Sequence, residues 1–311
     1  MERRNALKSM ALAAGAGCLP REAAADTKRP AGAGIGASAR SHIETRDGTR
    51  LFFRDCGQGR PLVFLAPWAL NSDWWEYQIA DLSSRGLRCI SYDRRGHGRS
   101  SQPGHGYDFD TLADDLGSLV DQLELRDVTL VGHSMGCAEV VRYLARRPAA
   151  PVRRAVLVAT IGPFTLKTPE NPGGVERSAL EKGRADLARD RPRQIAVAAP
   201  AFFGAPKNAV SAEMMDWWTR MILDHCSLKV MLDLHRAFTE TDFRPDLRAI
   251  GVPTLFVHGD ADTSTPLERT GRPSAALVQG SVLKVYEGAA HGLPITHMER
   301  LSADLLAFGA G

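Results

Sequence analysis

The chain alternates between short runs rich in apolar residues and longer segments that carry one apolar face. The short runs occupy residues 61–66, 87–93, 128–131, 154–160, 253–260 and 281–287. Their length and composition are typical of buried strands in a parallel sheet. Segments with apolar residues three and four positions apart are typical of helices. They occupy residues 73–85, 109–125, 137–144, 266–277 and 298–308.

This order of elements predicts an α/β protein with a mostly parallel, twisted sheet flanked by helices. A hairpin at residues 43–55, with Asp47 and Gly48 at its turn, is expected to precede it. The core is predicted to comprise residues 41–162 and 245–311.

The alternation breaks at residues 163–244, which are rich in aromatic and methionine side chains and show no clear strand. Helical stretches are predicted there at residues 177–190, 193–198 and 212–236. We expect this insertion to form a helical cap over the carboxyl edge of the sheet.

Composition is that of a folded domain with a large core. The chain has 311 residues, of which 44% are hydrophobic and 24% charged. The net charge of +3 comes from 39 basic and 36 acidic residues spread along the chain. This balance does not indicate a nucleic-acid partner. No apolar run reaches the length of a membrane span.

The N-terminus resembles a twin-arginine export signal. Arg3 and Arg4 precede a weakly apolar run and the small residues 23–25. We therefore predict a signal at residues 1–25, a flexible linker at 26–40, and a periplasmic or secreted protein. The alternative is a disordered tail on a cytoplasmic protein. Cys18 suggests a lipoprotein site only weakly, because Gly15 replaces the usual leucine.

Cysteine spacing predicts no metal site. Without Cys18 the chain keeps Cys56, Cys89, Cys137 and Cys226, and no two of them form a Cys-x-x-Cys pair. Small buried apolar roles are expected for these residues. Oxidation of a pair in an exported protein is left open.

Candidate chemistry begins where the apolar run at 128–131 meets Gly132, Ser134 and Gly136 in a Gly-X-Ser-X-Gly motif. A helical segment follows at once, and this strand–turn–helix context is that of a nucleophile elbow. The glycines leave room where strand and helix pack closely, and the turn presents the hydroxyl of Ser134. The N–H of Met135 would then point to where an oxyanion forms. The alternative is a structural glycine-rich turn.

A serine hydroxyl needs an oriented base to act as a nucleophile at neutral pH. In this architecture an acid and a histidine follow the serine, each after a later strand. Asp260 and Asp262 end the penultimate run, and His291 follows the last one. We predict that His291 acts as general base and then acid, and that Asp262 orients it. Asp260 is expected to anchor the loop instead, because it lies earlier in the turn.

A second oxyanion donor is expected from the loop after residues 61–66. Pro67 has no N–H, so Trp68 is the predicted donor alongside Met135. The indole of Trp68 is also expected to line the substrate pocket. The other predicted pocket residues are His133, Phe164, Trp217 and Trp218.

Residues 43–308 resemble α/β-hydrolases of the bacterial aryl esterase and cofactor-free haloperoxidase, or perhydrolase, branch. The matching stretches are residues 75–78, 91–100, 132–136, 241–245, 258–262 and 290–292. The resemblance implies an α/β-hydrolase fold, a Ser–His–Asp triad, a small-molecule ester substrate and no cofactor. It also implies that the chain can form homo-oligomers.

Two positions depart from the pattern of this branch. Ala66 and Pro67 stand where such relatives usually carry His-Gly, so the loop shape and pocket polarity are expected to differ. Ala69 stands where relatives noted for perhydrolysis often carry proline, which favours plain ester hydrolysis.

The sequence therefore predicts a serine hydrolase that cleaves small carboxylic esters through an acyl-enzyme. Hydrogen peroxide attacking the same acyl-enzyme would give a peracid, so a haloperoxidase or perhydrolase is the main alternative. A lactonase or amidase would use the same residues. Dehalogenases and epoxide hydrolases are disfavoured because those relatives carry Asp where Ser134 stands. A non-catalytic ligand-binding protein is a further alternative, which the intact triad order disfavours.

Overall fold

A computed structural model describes residues 41–310 and shows one mixed sheet. Its strands are β1 His42–Glu44, β2 Arg50–Cys56, β3 Arg60–Leu65, β4 Leu87–Tyr92, β5 Val128–His133, β6 Val152–Val158, β7 Thr254–Gly259 and β8 Val282–Tyr286. Across the sheet they lie in the order β1-β2-β4-β3-β5-β6-β7-β8. The β1–β2 and β2–β4 pairs are antiparallel and the others are parallel. The predicted mostly parallel α/β sheet is therefore confirmed.

Helices connect the parallel strands. They are α1 Glu76–Ser84, α2 Phe109–Gln122, α3 Met135–Arg146, α4 Arg177–Arg189, α5 Arg191–Phe203, α6 Ala212–His225, α7 Leu228–Glu240, α8 Arg244–Arg248, α9 Gly271–Leu277, α10 Leu293–Thr296 and α11 Met298–Ala310. A 3₁₀ turn, Ser72–Trp75, leads into α1. The helix predicted from residue 266 begins only at Gly271.

Burial explains why the central strands read as continuous apolar runs. Every residue of β5 and of β7 is buried, whereas the edge strand β8 keeps mostly exposed or half-buried side chains. A strand covered on both faces is therefore mostly apolar along its length, while a strand at the edge of the sheet is under less constraint. This difference fixes which strands lie at the centre of the sheet.

The carboxyl ends of β5, β7 and β8 lie at the same edge of the sheet, because the strands from β5 to β8 are adjacent and parallel. Ser134 follows β5 directly. The loops that carry Asp262 and His291 follow β7 and β8. Topology alone therefore brings the three predicted triad positions to one edge.

The segment between β6 and β7 contains α4 to α8, of which α4 to α7 lie in the stretch for which the sequence predicts a cap. The single helix predicted at residues 212–236 is wrong, because the structure has two helices there. Cys226 is extended, and the Ser227 hydroxyl caps α7 by accepting a hydrogen bond from the Val230 N–H at 3.3 Å. The apolar periodicity resumes after only these two residues, so the pattern does not reveal the break.

The predicted export signal at residues 1–25 and linker at 26–40 lie outside the described residues. Within residues 41–310, no helix combines the length and the apolar character that crossing a bilayer requires.

Close packing of α3 against β5 and against the end of β3 depends on two glycines. A Cβ built on Gly132 would lie 2.7 Å from the Cys137 nitrogen and from the Gly136 carbonyl group. A Cβ on Gly136 would lie 2.6 Å from the Leu65 carbonyl oxygen. Backbone atoms cannot move aside as a flexible side chain can, so each position requires glycine.

We predict that Gly132→Ala lowers the free energy of unfolding by about 2 kcal/mol or more, because the new methyl overlaps backbone. Gly183 is the matched control, since it is exposed within α4 and a Cβ there would meet nothing within 4 Å. Gly183→Ala should raise stability by about 0.5–1 kcal/mol through helix propensity. Urea denaturation measures both, and a Gly132→Ala variant as stable as the wild type would contradict the packing described.

Candidate active site

Ser134 lies in a strained turn between β5 and α3. Its backbone has φ 54° and ψ −116°, a conformation that residues with a side chain rarely adopt. The turn is held by the Ser134 N–H, which donates to the Val158 carbonyl oxygen at 2.8 Å, and by the Cys137 N–H, which donates to the Ser134 carbonyl oxygen at 3.0 Å. The structure thus has the strand–turn–helix geometry expected of a nucleophile elbow.

Asp262 and His291 form a hydrogen-bonded pair. His291 Nδ1 lies 2.7 Å from Asp262 Oδ2, and both side chains are buried. The other carboxylate oxygen, Oδ1, accepts the N–H groups of Ser264 and Thr265 at 2.8 Å each. The Thr265 hydroxyl donates to Oδ2 at 2.8 Å. These donors fix the carboxylate so that it faces the imidazole.

Electrostatics keep Asp262 ionised. Burial alone would raise the pKa of Asp262, but attraction to His291 and the hydrogen bonds to the carboxylate lower the pKa to about 2. The carboxylate is therefore charged throughout the neutral range. A fixed negative charge beside Nδ1 favours the tautomer that leaves Nε2 free to accept a proton.

A second histidine, His258, supports the same turn. Its Nε2 lies 2.7 Å from the Thr265 carbonyl oxygen and 3.5 Å from Asp262 Oδ2. Burial lowers the pKa of His258, so the ring is neutral and Nε2 donates its proton to the carbonyl. His258 therefore holds the loop that carries Asp262.

Asp260 is exposed and serves the loop rather than His291. Its Oδ1 accepts the Gly288 N–H at 2.7 Å, which ties the loop after β7 to the loop after β8. This matches the anchoring role predicted from its position in the turn. Of the two aspartates, Asp262 is the one that contacts His291.

His133, which the sequence analysis places in the substrate pocket, is completely buried. Its Nδ1 accepts the Trp74 indole N–H at 3.0 Å, and its Nε2 lies 3.0 Å from the His291 carbonyl oxygen. Burial, reinforced by nearby His291, lowers the pKa of His133 well below its usual range. The neutral ring therefore links Trp74 to the backbone of His291.

Trp68 faces the inserted helices. Its indole N–H donates to the Met231 carbonyl oxygen in α7 at 3.1 Å, and its ring packs edge-on against Phe238 with centroids 6.0 Å apart. The side chain is half-buried, as a pocket wall requires. Met135, the other predicted oxyanion donor, is fully buried at the start of α3.

The other predicted pocket residues are scattered. Trp218 is buried behind Phe202, with ring centroids 4.6 Å apart, and Trp217 packs edge-on against Tyr77 of α1 at 6.4 Å. Phe164 lines a cavity of about 330 Å³ that also reaches Thr265. The structure therefore brings Phe164 near the Asp262 loop and leaves both tryptophans outside that cavity's lining.

Phe202 is a site residue that sequence reasoning missed. This α5 side chain packs edge-on against the His291 imidazole with ring centroids 5.2 Å apart. Its only sequence signal was membership of the aromatic-rich insertion, which does not indicate which ring faces the sheet. Phe202 therefore contributes to the burial of the His291 side chain.

The described part of the chain offers no group of three His, Cys, Asp or Glu side chains that could hold a metal ion. Its four cysteines are free thiols. Burial raises the pKa of the Cys226 thiol to about 12, so it is protonated at neutral pH. The protonated Cys226 thiol is therefore a poor nucleophile at neutral pH.

The sequence profile of a family described as the alpha/beta hydrolase fold matches residues 60–297, so the chain belongs to this family. Non-heme chloroperoxidase CPO-A1 of Kitasatospora aureofaciens is 41% identical, over 85% of this chain and 97% of that protein. The bifunctional esterase/perhydrolase DCH of Acinetobacter calcoaceticus is 37% identical, over 86% of this chain and 98% of that protein.

Comparison with solved structures supports the same family. The crystal structure of bromoperoxidase from Bacillus anthracis superposes with a TM-score of 0.82 at 34% identity, covering 87% of this chain and 99% of that chain. The resemblance to the esterase and haloperoxidase branch is therefore confirmed, and the chain is an enzyme of the α/β-hydrolase class.

We predict that Ser134→Gly is more stable than Ser134→Ala, by about 1 kcal/mol. Glycine relieves the strain of a positive φ, worth about 1–3 kcal/mol, but loses about 0.5–1 kcal/mol in conformational entropy. Alanine removes the hydroxyl and keeps the strain. Chemical denaturation of the two variants measures the difference, and an alanine variant of equal or greater stability would show that the turn is unstrained.

Proposed function

We propose that the protein is a serine hydrolase that cleaves small carboxylic esters through an acyl-enzyme. The observation that carries the proposal is the buried Asp262–His291 hydrogen bond, at the same sheet edge as the strained turn of Ser134. A nucleophile, a base and a group that orients the base are the parts that acyl transfer needs. The similarity to a bifunctional esterase/perhydrolase supports the same reaction class.

In the proposed first half-reaction, His291 removes the Ser134 proton while the oxygen attacks the ester carbonyl. Asp262 remains ionised and stabilises the imidazolium that forms. The oxyanion accepts hydrogen bonds from the N–H groups of Trp68 and Met135. Each such donor is typically worth about 3 kcal/mol of transition-state stabilisation. His291 then protonates the departing alcohol, and the acyl group stays on Ser134.

In the second half-reaction, His291 activates water, which attacks the acyl-enzyme and releases the acid. We place an apolar group of the substrate against Trp68. The 330 Å³ cavity lined by Phe164 and Phe238 lies beside Thr265, which contacts both Asp262 and His291. A volume of this size suits a small ligand.

A perhydrolase activity is the second candidate. Hydrogen peroxide is a small nucleophile that can replace water at the acyl-enzyme, and its product, a peracid, can oxidise halide. The specific observation in favour is 41% identity to a protein named a non-heme chloroperoxidase. Both activities use the same acyl-enzyme, so the two candidates differ only in the nucleophile of the second step.

The proposal is tested with p-nitrophenyl esters from acetate to octanoate, using wild type and Ser134→Ala with and without hydrogen peroxide. We expect wild-type turnover that falls at least about 10³-fold in the variant, because the acyl-enzyme cannot form. The preferred length of the ester's acyl chain then indicates the size of the substrate pocket. A yield of peracid greater than the yield of carboxylic acid would favour the second candidate. A folded wild type without ester turnover would contradict the proposal.

Asp262→Asn should lower kcat on the preferred ester by about 10³–10⁴-fold, because an amide cannot stabilise the His291 imidazolium. Asp260→Asn is the matched control, since Asp260 lies two residues earlier in the same turn, is exposed, and accepts the Gly288 N–H, whereas Asp262 contacts His291. It should retain kcat within about threefold. Equal losses in the two variants, measured at matched folded concentration, would contradict the assignment of Asp262.

A further inference from the structure

A buried ion pair joins the elbow helix to the loop after β4. Arg94 Nε donates to Glu139 Oε1 at 2.8 Å, and Arg94 Nη2 contacts the same oxygen. Glu139 lies in α3, one turn after the elbow, and its Oε2 accepts the Tyr92 hydroxyl at 3.2 Å. Both members of the ion pair are almost fully buried. Burying two charges is costly, so such a pair is weak evidence for a role in stability alone.

The same guanidinium also binds the loop that carries Trp68. Arg94 Nη2 donates to the Ala66 carbonyl oxygen at 2.7 Å, and Nη1 lies 3.5 Å from the Pro67 carbonyl oxygen. Pro67 cannot donate a backbone hydrogen bond. The loop is therefore held through its carbonyl groups, by Arg94 at Ala66 and Pro67 and by the Leu70 N–H, which donates to the Pro67 carbonyl oxygen at 3.3 Å.

The Pro67 carbonyl and the Trp68 N–H belong to one peptide unit. That unit is planar, so fixing the direction of its carbonyl also fixes the direction of its N–H. The Ala66 carbonyl oxygen is close to the elbow as well, because a Cβ on Gly136 would lie 2.9 Å from it. Arg94 therefore contacts the loop at the point where it meets the start of α3, next to Met135.

We propose that Arg94, held by Glu139, is a positioning residue for the oxyanion hole. It sets the Trp68 N–H relative to the Met135 N–H, so that both donors point at one oxygen. The inference rests on the proposed function and deepens it. It also explains how a loop with Ala66 and Pro67 keeps a usable second donor.

The chain supplies a matched control in the next residue. Arg95 is equally buried and forms a similar ion pair, with Nε and Nη2 each 2.6 Å from an Asp115 oxygen. Its third contact is to Asp47 at 2.9 Å, on the β1–β2 turn. Arg95 therefore matches Arg94 in charge and burial and is its neighbour in the chain. It does not share the Arg94 contacts with the loop that carries Trp68.

The test compares Arg94→Lys with Arg95→Lys. Lysine keeps the positive charge but lacks the planar guanidinium group that donates to several acceptors at once. Both variants should therefore lose thermal stability. Only Arg94→Lys should lower kcat on p-nitrophenyl acetate, by about tenfold or more, with KM changed less than about threefold. Affinity for an arylboronic acid, which forms a tetrahedral adduct on an active serine, should fall in parallel with kcat.

Glu139→Gln and Asp115→Asn form a second, milder pair in case Arg94→Lys does not fold. Glu139→Gln should lower kcat and boronic acid affinity together, and Asp115→Asn should lower neither. A kcat unchanged in both Arg94→Lys and Glu139→Gln, or an equal loss in the Arg95 and Asp115 variants, would overturn the inference. A wild type with no ester turnover and no boronic acid binding would overturn the proposed function, and this inference with it.

Discussion

The site depends on how closely β5 and α3 approach each other at the Ser134 turn. Gly132 and Gly136 have no room for a Cβ, and Ser134 takes a positive φ between them. This packing holds Ser134 at the sheet edge and places Met135 at the start of a helix. The strain in the turn is offset by the surrounding fold, which buries β5 completely.

Around that turn, the buried side chains of Asp262, His258 and His133 all have polar partners. Asp262 accepts from two backbone N–H groups and the Thr265 hydroxyl as well as pairing with His291. His258 holds the Thr265 carbonyl, and His133 links Trp74 to the His291 backbone. A buried polar group without a partner costs stability, so these contacts also restrict how far the reactive groups can move. Rigidity of this kind lets a site stabilise a transition state without reorganising.

Positions for the proposed reactive groups could be predicted from the sequence because strand topology determines where those residues lie. Ser134, Asp262 and His291 each follow a strand in a parallel sheet, and parallel strands end at a common edge. The choice of Asp262 over Asp260 followed from position in the turn. The contact between Asp262 and His291 agrees with that choice.

Other features depend on side-chain packing between distant segments, which periodicity does not encode. His133 was expected in the pocket but is buried against Trp74, 59 residues earlier in the chain. Phe202 reaches His291 only because of how α5 lies over the sheet. The break between α6 and α7 was missed because apolar spacing continues across it.

The proposed reaction requires a covalent acyl-enzyme on Ser134. The most direct measurement is mass spectrometry of enzyme quenched with acid during turnover of p-nitrophenyl acetate, followed by peptide mapping. We expect one acetyl group, located on the peptide that contains Ser134, which disappears when the substrate is exhausted. An acetyl group on another residue, or continued turnover by Ser134→Ala without any acylated peptide, would contradict it.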